Sequence, residues 1–132
     1  MRIKKIILVV DDEYDISSCL EIAFTLEGYQ VHVAFNGSEA LKILKNGKPY
    51  PDLILTDLMM PVLDGYGLVK ALKADAEFRH IPIILTSTGR LDSDRLAPGS
   101  WEVFVPKPFD LEPLLVIVAQ VINKHNGDQT AA

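Results

Sequence analysis

Hydrophobic positions along this chain alternate between two kinds of pattern. Short, nearly unbroken apolar runs predict strands that are buried on both faces of a sheet. Between them, apolar residues recur every three or four positions, which predicts helices with one buried face. The predicted strands are Ile3 to Val10 and the runs QVHVAF, DLILTD, IPIILT and EVFVP.

The predicted helices are delimited by capping and stop residues. They cover Tyr14 to Leu26, NGSEALKILKNG, GYGLVKALKAD and Leu111 to Ile122. Between the fourth and fifth strands, STGRLDSDRLAPGSW has few apolar residues and is bracketed by Gly89 and Pro98. Any helix there, the fourth in order, is therefore predicted to be short or irregular.

Strands that alternate with helices through short connections predict a parallel sheet covered on both faces. Five such units form a doubly wound α/β fold. A chain of 132 residues, 48% of them hydrophobic, suits one compact domain. We assign that domain to residues 1–125 and expect a flexible tail over 126–132.

Charge and composition exclude several classes of protein. The net charge is −5, and no basic cluster is longer than Lys4-Lys5, so direct binding to nucleic acid is disfavoured. The apolar stretch Ile6 to Val10 is too short for a signal peptide or a membrane span, and we expect a cytoplasmic protein without membrane association. Cys19, the only cysteine, lies in an apolar helical pattern and is predicted to be buried.

Polar residues stand where four of the predicted strands end. Asp11-Asp12 follows the first strand, Asp57 ends the third, Thr86 the fourth, and Lys107 follows the fifth. In open parallel sheets, functional residues lie at these carboxyl ends. Three converging carboxylates need a cation, and oxygen ligands without His or Cys favour Mg²⁺. Asp57 is then placed to act as a nucleophile beside Lys107.

Each of these residues also has an ordinary explanation. The acids Asp11, Asp12 and Glu13 could cap the first helix, and Asp57 could begin a loop. Thr86 and Lys107 could merely end a strand and carry a solvated charge. These accounts would have to coincide four times at one edge of the sheet, which favours a shared site.

The chain resembles the receiver domain of two-component response regulators from about Lys4 to Lys124. The stretches that carry the resemblance are ILVVDDE, TDLMMPVLDG, PIILTS and KPF. The resemblance implies a flavodoxin-like sheet with strand order 2-1-3-4-5. It also implies that Asp57 accepts a phosphoryl group from a sensor histidine kinase or a phosphotransfer protein.

The resemblance implies further roles around Asp57. Asp11, Asp12, Asp57 and the backbone carbonyl of Met59 would hold Mg²⁺. Lys107 would pair with Asp57 and then with the phosphoryl group. Thr86 would move towards that group, and Phe104 would turn inward with it. Such a switch catalyses only its own phosphorylation and dephosphorylation, and it controls a downstream protein target or an effector domain outside this sequence.

One departure and two alternatives stand beside this interpretation. Trp101, in PGSW, occupies a position where receivers usually have a small residue, so we expect segment 88–100 and partner recognition there to differ from the common mode. A pseudo-receiver that binds partners without phosphorylation would lack an acid, the acceptor or Lys107. A magnesium-dependent phosphohydrolase would carry a second acid at Met59 and a cap domain.

Overall fold

The computed structural model describes residues 4–130, and side chains from residue 4 to residue 125. Five strands and four α-helices alternate along the chain. They are β1 (Ile6–Val10), α1 (Tyr14–Leu26), β2 (Gln30–Ala34), α2 (Gly37–Lys45), β3 (Leu53–Asp57), α3 (Gly65–Lys73), β4 (Ile83–Ser87), β5 (Val103–Pro106) and α4 (Leu111–Thr130). A single 3-10 turn, Ser93–Arg95, lies between β4 and β5.

The five strands form one parallel sheet in the order β2-β1-β3-β4-β5. Its register aligns the strand ends, since Val10 pairs with Thr56 and Asp57 pairs with Thr86. The predicted doubly wound fold and its strand order are confirmed. The residues that follow each strand consequently meet at one edge.

A separate apolar core covers each face of the sheet. Alternate residues of β1 point to opposite faces, so Leu8 packs with α2 and α3 whereas Ile7 packs with α1 and α4. All five residues of β1, β3 and β4 are buried, which explains why their sequences are almost continuously apolar. The sheet is thereby a rigid support for its polar edge.

Two boundaries differ from the sequence prediction by more than two residues. Strand β1 begins at Ile6, and Ile3 lies outside the described residues. The last helix continues to Thr130 instead of ending at Ile122. The predicted tail, 126–132, falls on residues whose side chains lie outside the described part, and its flexibility stays a prediction.

The predicted burial of Cys19 is wrong. Helix α1 turns Ser17, Leu20 and Phe24 inward, and Cys19 lies on its exposed side. The helix is apolar around much of its circumference, so its periodicity alone did not identify the inner face.

Segment 88–100 has irregular backbone where the alternation of strands and helices would place a fourth helix. Its one 3-10 turn confirms the expectation of a short or irregular element. The segment is attached to α3 at Tyr66, whose hydroxyl accepts a hydrogen bond of 2.8 Å from the Asp92 N–H. The Arg95 guanidinium lies 3.8 Å from the centre of the Tyr66 ring.

No helix within residues 4–130 combines the length and the hydropathy that crossing a bilayer requires.

Candidate functional site

Three carboxylates converge at the carboxyl edge of the sheet. Asp57 is the last residue of β3, and Asp11 and Asp12 directly follow β1, the neighbouring strand. One oxygen from each of the three lies within 4.8 Å of the others. Asp11 and Asp57 are buried, whereas Asp12 is exposed. The cluster is therefore a pocket with one open side.

The Lys107 ammonium neutralises part of this charge. Lys107 follows β5 at the same edge, and its side chain is only 4% exposed. Its Nζ lies 2.8 Å from Asp11 Oδ2 and 3.1 Å from Asp57 Oδ2. One cation thus joins the acids that follow β1 and end β3.

Burial and ion pairing raise the pKa values of two groups in the pocket, Asp11 and Lys107. Burial raises the pKa of Asp11 above its usual value, although Lys107 opposes that shift. Burial alone would lower the pKa of Lys107, but its hydrogen bonds and its attraction to Asp11 and Asp57 outweigh burial and raise it. Both groups hold their protons more strongly than in water, so the pocket favours additional positive charge.

The donor set fits a hard divalent cation. All three candidate ligands are carboxylate oxygens, and the open side at Asp12 leaves room for water in the coordination shell. The described residues around the cluster include no His or Cys ligand. The acidic triad is therefore consistent with a divalent metal site.

The loop after Asp57 contacts its carboxylate and its backbone. The Met59 N–H donates to Asp57 Oδ1 at 3.3 Å. Gly65 begins α3 so close to β3 that a Cβ there would lie 2.3 Å from the Asp57 carbonyl oxygen. Asp64 caps α3 by accepting a 2.9 Å hydrogen bond from the Gly67 N–H. Helix α3 thus starts directly against the acceptor backbone.

The remaining candidates occupy the neighbouring strands. Thr86 is buried and pairs with Asp57 across the β3–β4 ladder. Phe104 is partly buried on β5, beside Leu85, and packs against the core under α2 and α3. The structure brings Thr86 to the acceptor and places Phe104 one strand further away.

Two of the acids at the start of α1, Asp11 and Glu13, do not cap this helix as the ordinary explanation would require. Asp11 Oδ1 accepts the Glu13 N–H at 2.9 Å, ahead of the helix, and Glu13 at the N-cap makes no side-chain cap hydrogen bond. Instead, Glu13 Oε1 lies 3.4 Å from Lys107 Nζ. Sequence reasoning missed this contact, and its only signal was a third acid in the run DDE.

A family model described as the response regulator receiver domain matches residues 7–119. The chain belongs to this family. The receiver domain is a signalling module rather than a conventional enzyme, and its acidic pocket with Lys107 is that of a phosphoacceptor response regulator. Receiver domains interact with histidine kinases.

Similar proteins include regulators longer than this receiver domain. It is 41% identical over 125 residues to the probable transcriptional regulator ycf27 of Porphyra purpurea, covering 92% of this chain and 49% of that protein. It is 35% identical to the regulatory protein AtoC of Escherichia coli over 88% of this chain and 25% of that protein. The chain spans about half the length of the curated ycf27 relatives it matches.

Solved structures agree with the receiver fold. The signal receiver domain of a histidine kinase from Syntrophus aciditrophicus is 31% identical with a TM-score of 0.81, and the match covers 91% of both chains. A CheY-like receiver domain protein from Methanospirillum hungatei has a TM-score of 0.86 at 21% identity, over 96% of this chain and 99% of that one. The second likeness concerns the fold alone.

Proposed function

We propose that Asp57 of this receiver domain accepts a phosphoryl group from a phosphohistidine of a sensor histidine kinase or a phosphotransfer protein. The observation that carries the proposal is the contact of one buried ammonium, Lys107, with both Asp11 and Asp57 in a pocket of converging carboxylates. Such a pocket is suited to a dianion once a cation is bound beside it.

In the transfer step, a carboxylate oxygen of Asp57 forms a bond to phosphorus as the phosphorus–nitrogen bond of the donor breaks, and the imidazole nitrogen keeps the electron pair. Asp11, Asp12, Asp57 and the Met59 carbonyl would hold Mg²⁺. Bound Mg²⁺ supplies positive charge to the phosphoryl oxygens. Lys107 supplies a second, fixed positive charge and orients Asp57 before the reaction.

The proposed output is a shift between two packings of β4 and β5. Thr86 is the neighbour of Asp57 in the ladder, so its hydroxyl is the nearest strand β4 group that a phosphoryl oxygen could attract. Movement of Thr86 leaves space on the adjacent strand, into which Phe104 would turn. Phosphorylation thereby changes the populations of the two packings.

The signal then passes to a downstream protein target or to an effector domain outside this sequence. Several relatives are named transcriptional regulators and are about twice as long as this chain. The receiver itself has a net charge of −5, so we expect it to act through protein partners and not by binding nucleic acid. We place it in the cytoplasm, where sensor kinases present their phosphohistidine.

The test is chemical phosphorylation with acetyl phosphate and Mg²⁺, followed by mass spectrometry of the intact protein. The unmodified chain should gain one phosphoryl group, and Asp57→Asn should gain none. Asp15→Asn is the matched control, because Asp15 is an exposed acid on the first turn of α1, outside the pocket. It should be labelled like the unmodified chain.

Labelling that persists in Asp57→Asn would refute the assignment of the acceptor. Absence of labelling in the unmodified chain would instead favour the pseudo-receiver alternative.

A further inference from the structure

A third carboxylate reaches Lys107 from the solvent side of the pocket. Glu13 Oε1 lies 3.4 Å from Nζ, and the Glu13 side chain is 53% exposed, whereas the side chains of Asp11 and Asp57 are almost fully buried. Glu13 is the N-cap residue of α1, yet its carboxylate does not cap the helix. The side chain is directed to Lys107 instead.

These three contacts use the full donor capacity of Lys107. An ammonium group has three N–H donors and no acceptor. Asp11, Asp57 and Glu13 together provide one acceptor for each of these donors. A phosphoryl oxygen can therefore bind Lys107 only after one carboxylate has left.

Glu13 is the carboxylate that can leave at least cost. Asp11 is buried and makes the shortest contact with Lys107, at 2.8 Å, so water cannot readily take the place of the ammonium there. Asp57 is the acceptor and stays beside the transferred group. Glu13 has the longest contact and is half exposed, so water can replace Lys107 around its carboxylate.

We propose that Glu13 is a positioning residue that occupies the third N–H of Lys107 until the phosphoryl group on Asp57 displaces it. The inference rests on the proposed function and adds to it a competitor built into the resting pocket. Glu13 slows phosphorylation, because its contact with Lys107 must break before a phosphoryl oxygen can take that position.

The experiment compares initial rates of phosphorylation by acetyl phosphate at saturating Mg²⁺. Glu13→Gln removes the charge and should be labelled about 1.4- to fivefold faster, the range in equilibrium constant that measured ion pairs with exposed partners contribute. Glu21→Gln is the control, because Glu21 is an exposed glutamate on α1 that lies two turns further along the helix. Its rate should equal that of the unmodified chain.

A second variant distinguishes the effect of the contact with Lys107 on the labelling rate from the effect of negative charge at the pocket mouth. Glu13→Asp keeps the charge but shortens the side chain by one methylene. Aspartate at an N-cap also accepts hydrogen bonds from the first helical turn, which draws it away from Lys107. We therefore expect Glu13→Asp to be labelled faster as well. A cooperative thermal unfolding transition would show that each variant is folded.

Three results would count against parts of this account. Equal or slower labelling of Glu13→Gln overturns the positioning role. Faster labelling of Glu13→Gln with an unchanged rate in Glu13→Asp also overturns it, because charge alone would then be responsible. No labelling of the unmodified chain contradicts the proposed function itself, which makes that failure distinguishable.

Discussion

At the residue scale, the pocket depends on one ammonium group, that of Lys107, which several carboxylates share. Lys107 contacts acids from the N-terminal part of the sequence, Asp11 and Glu13, and from its middle, Asp57. The two buried partners give the arrangement its stability, because each would be costly to leave unpaired. The exposed partner, Glu13, can exchange its contact with Lys107 for contact with water, so this part of the arrangement can change.

Backbone strain is concentrated at Val62, in the loop that follows the acceptor. Its φ of 69° lies in the left-handed region, which is rare for a β-branched residue. The side chain is 84% exposed and so recovers little energy from packing. The conformation is maintained by its neighbours, since Met59 bonds Asp57 and Asp64 caps α3.

We expect Val62→Gly to raise the free energy of unfolding by about 0.5–1 kcal/mol. Relief of the left-handed penalty outweighs the greater backbone entropy of glycine in the unfolded chain. Urea denaturation measures the difference. Val62→Ala keeps a Cβ and should gain less, and a Val62→Gly protein less stable than the unmodified chain would contradict the argument.

At the element scale, segment 88–100 is held in place by side-chain contacts to α3 and the core. Tyr66 accepts a hydrogen bond from Asp92 and stacks with Arg95, which also approaches Asp64 at 3.8 Å. Leu91 and Leu96 pack against the core beneath. The segment is thus attached to the start of α3 and not to a helical hydrogen-bond ladder of its own.

Hydrogen exchange should therefore find no continuous helical protection between residues 88 and 100, and the Asp92 amide should be an exception. Tyr66→Phe removes its acceptor and should cost about 1 kcal/mol of unfolding free energy, with faster exchange at Asp92. Tyr50→Phe is the control, because its hydroxyl bonds only to the exposed Glu77 in the described structure. A protected helix of three turns would contradict this description.

Glu102, which directly precedes β5, forms contacts that connect this end of the strand to helix α4. The Glu102 carboxylate hydrogen-bonds to His125 and lies 3.6 Å from Lys124 Nζ. The hydrogen bond to His125 holds the pKa of Glu102 below its usual value of 4.5, although burial opposes the shift. The hydrogen bond to His125 therefore favours the ionised form of the Glu102 carboxylate.

This shift predicts an acid-sensitive contribution to stability. A carboxyl group with a lower pKa in the folded state stabilises fully above the unfolded pKa, and the contribution is lost as the pH falls through the folded pKa. Glu102→Gln should lose less unfolding free energy between about pH 5 and pH 3 than the unmodified chain. Urea denaturation across that range tests it, with Glu112→Gln, an exposed glutamate on α4, as the control. Equal pH slopes in the unmodified and Glu102→Gln chains would contradict the assignment.

At the scale of the whole molecule, the sheet was predictable and its side-chain contacts only partly so. Apolar runs such as Ile6–Val10 predict strands that are buried on both faces. A parallel sheet of such strands then brings Asp11, Asp57 and Lys107 to one edge. Local patterns suffice for these features. The roles of the individual residues came from the family resemblance and await the experiments above.

Other features depend on contacts between distant parts of the chain. The bond from Lys107 to Glu13 joins residues 94 positions apart, and that from Asp92 to Tyr66 joins residues 26 apart. The exposure of Cys19 depends on how α1 is rotated on the sheet. None of these follows from periodicity or composition, because each requires the packed arrangement of whole elements.

Because Gly65 lies so close to Asp57, there is less room for movement on the α3 side of the pocket than on the other side. With 2.3 Å between a hypothetical methyl group and the acceptor carbonyl, α3 has no room to advance towards β3. On its other side, Asp57 borders β4 and then β5, which is the last strand of the sheet. We therefore expect a displacement that begins at Asp57 to pass through β4 to β5, and a partner that responds to it to contact this margin of the sheet.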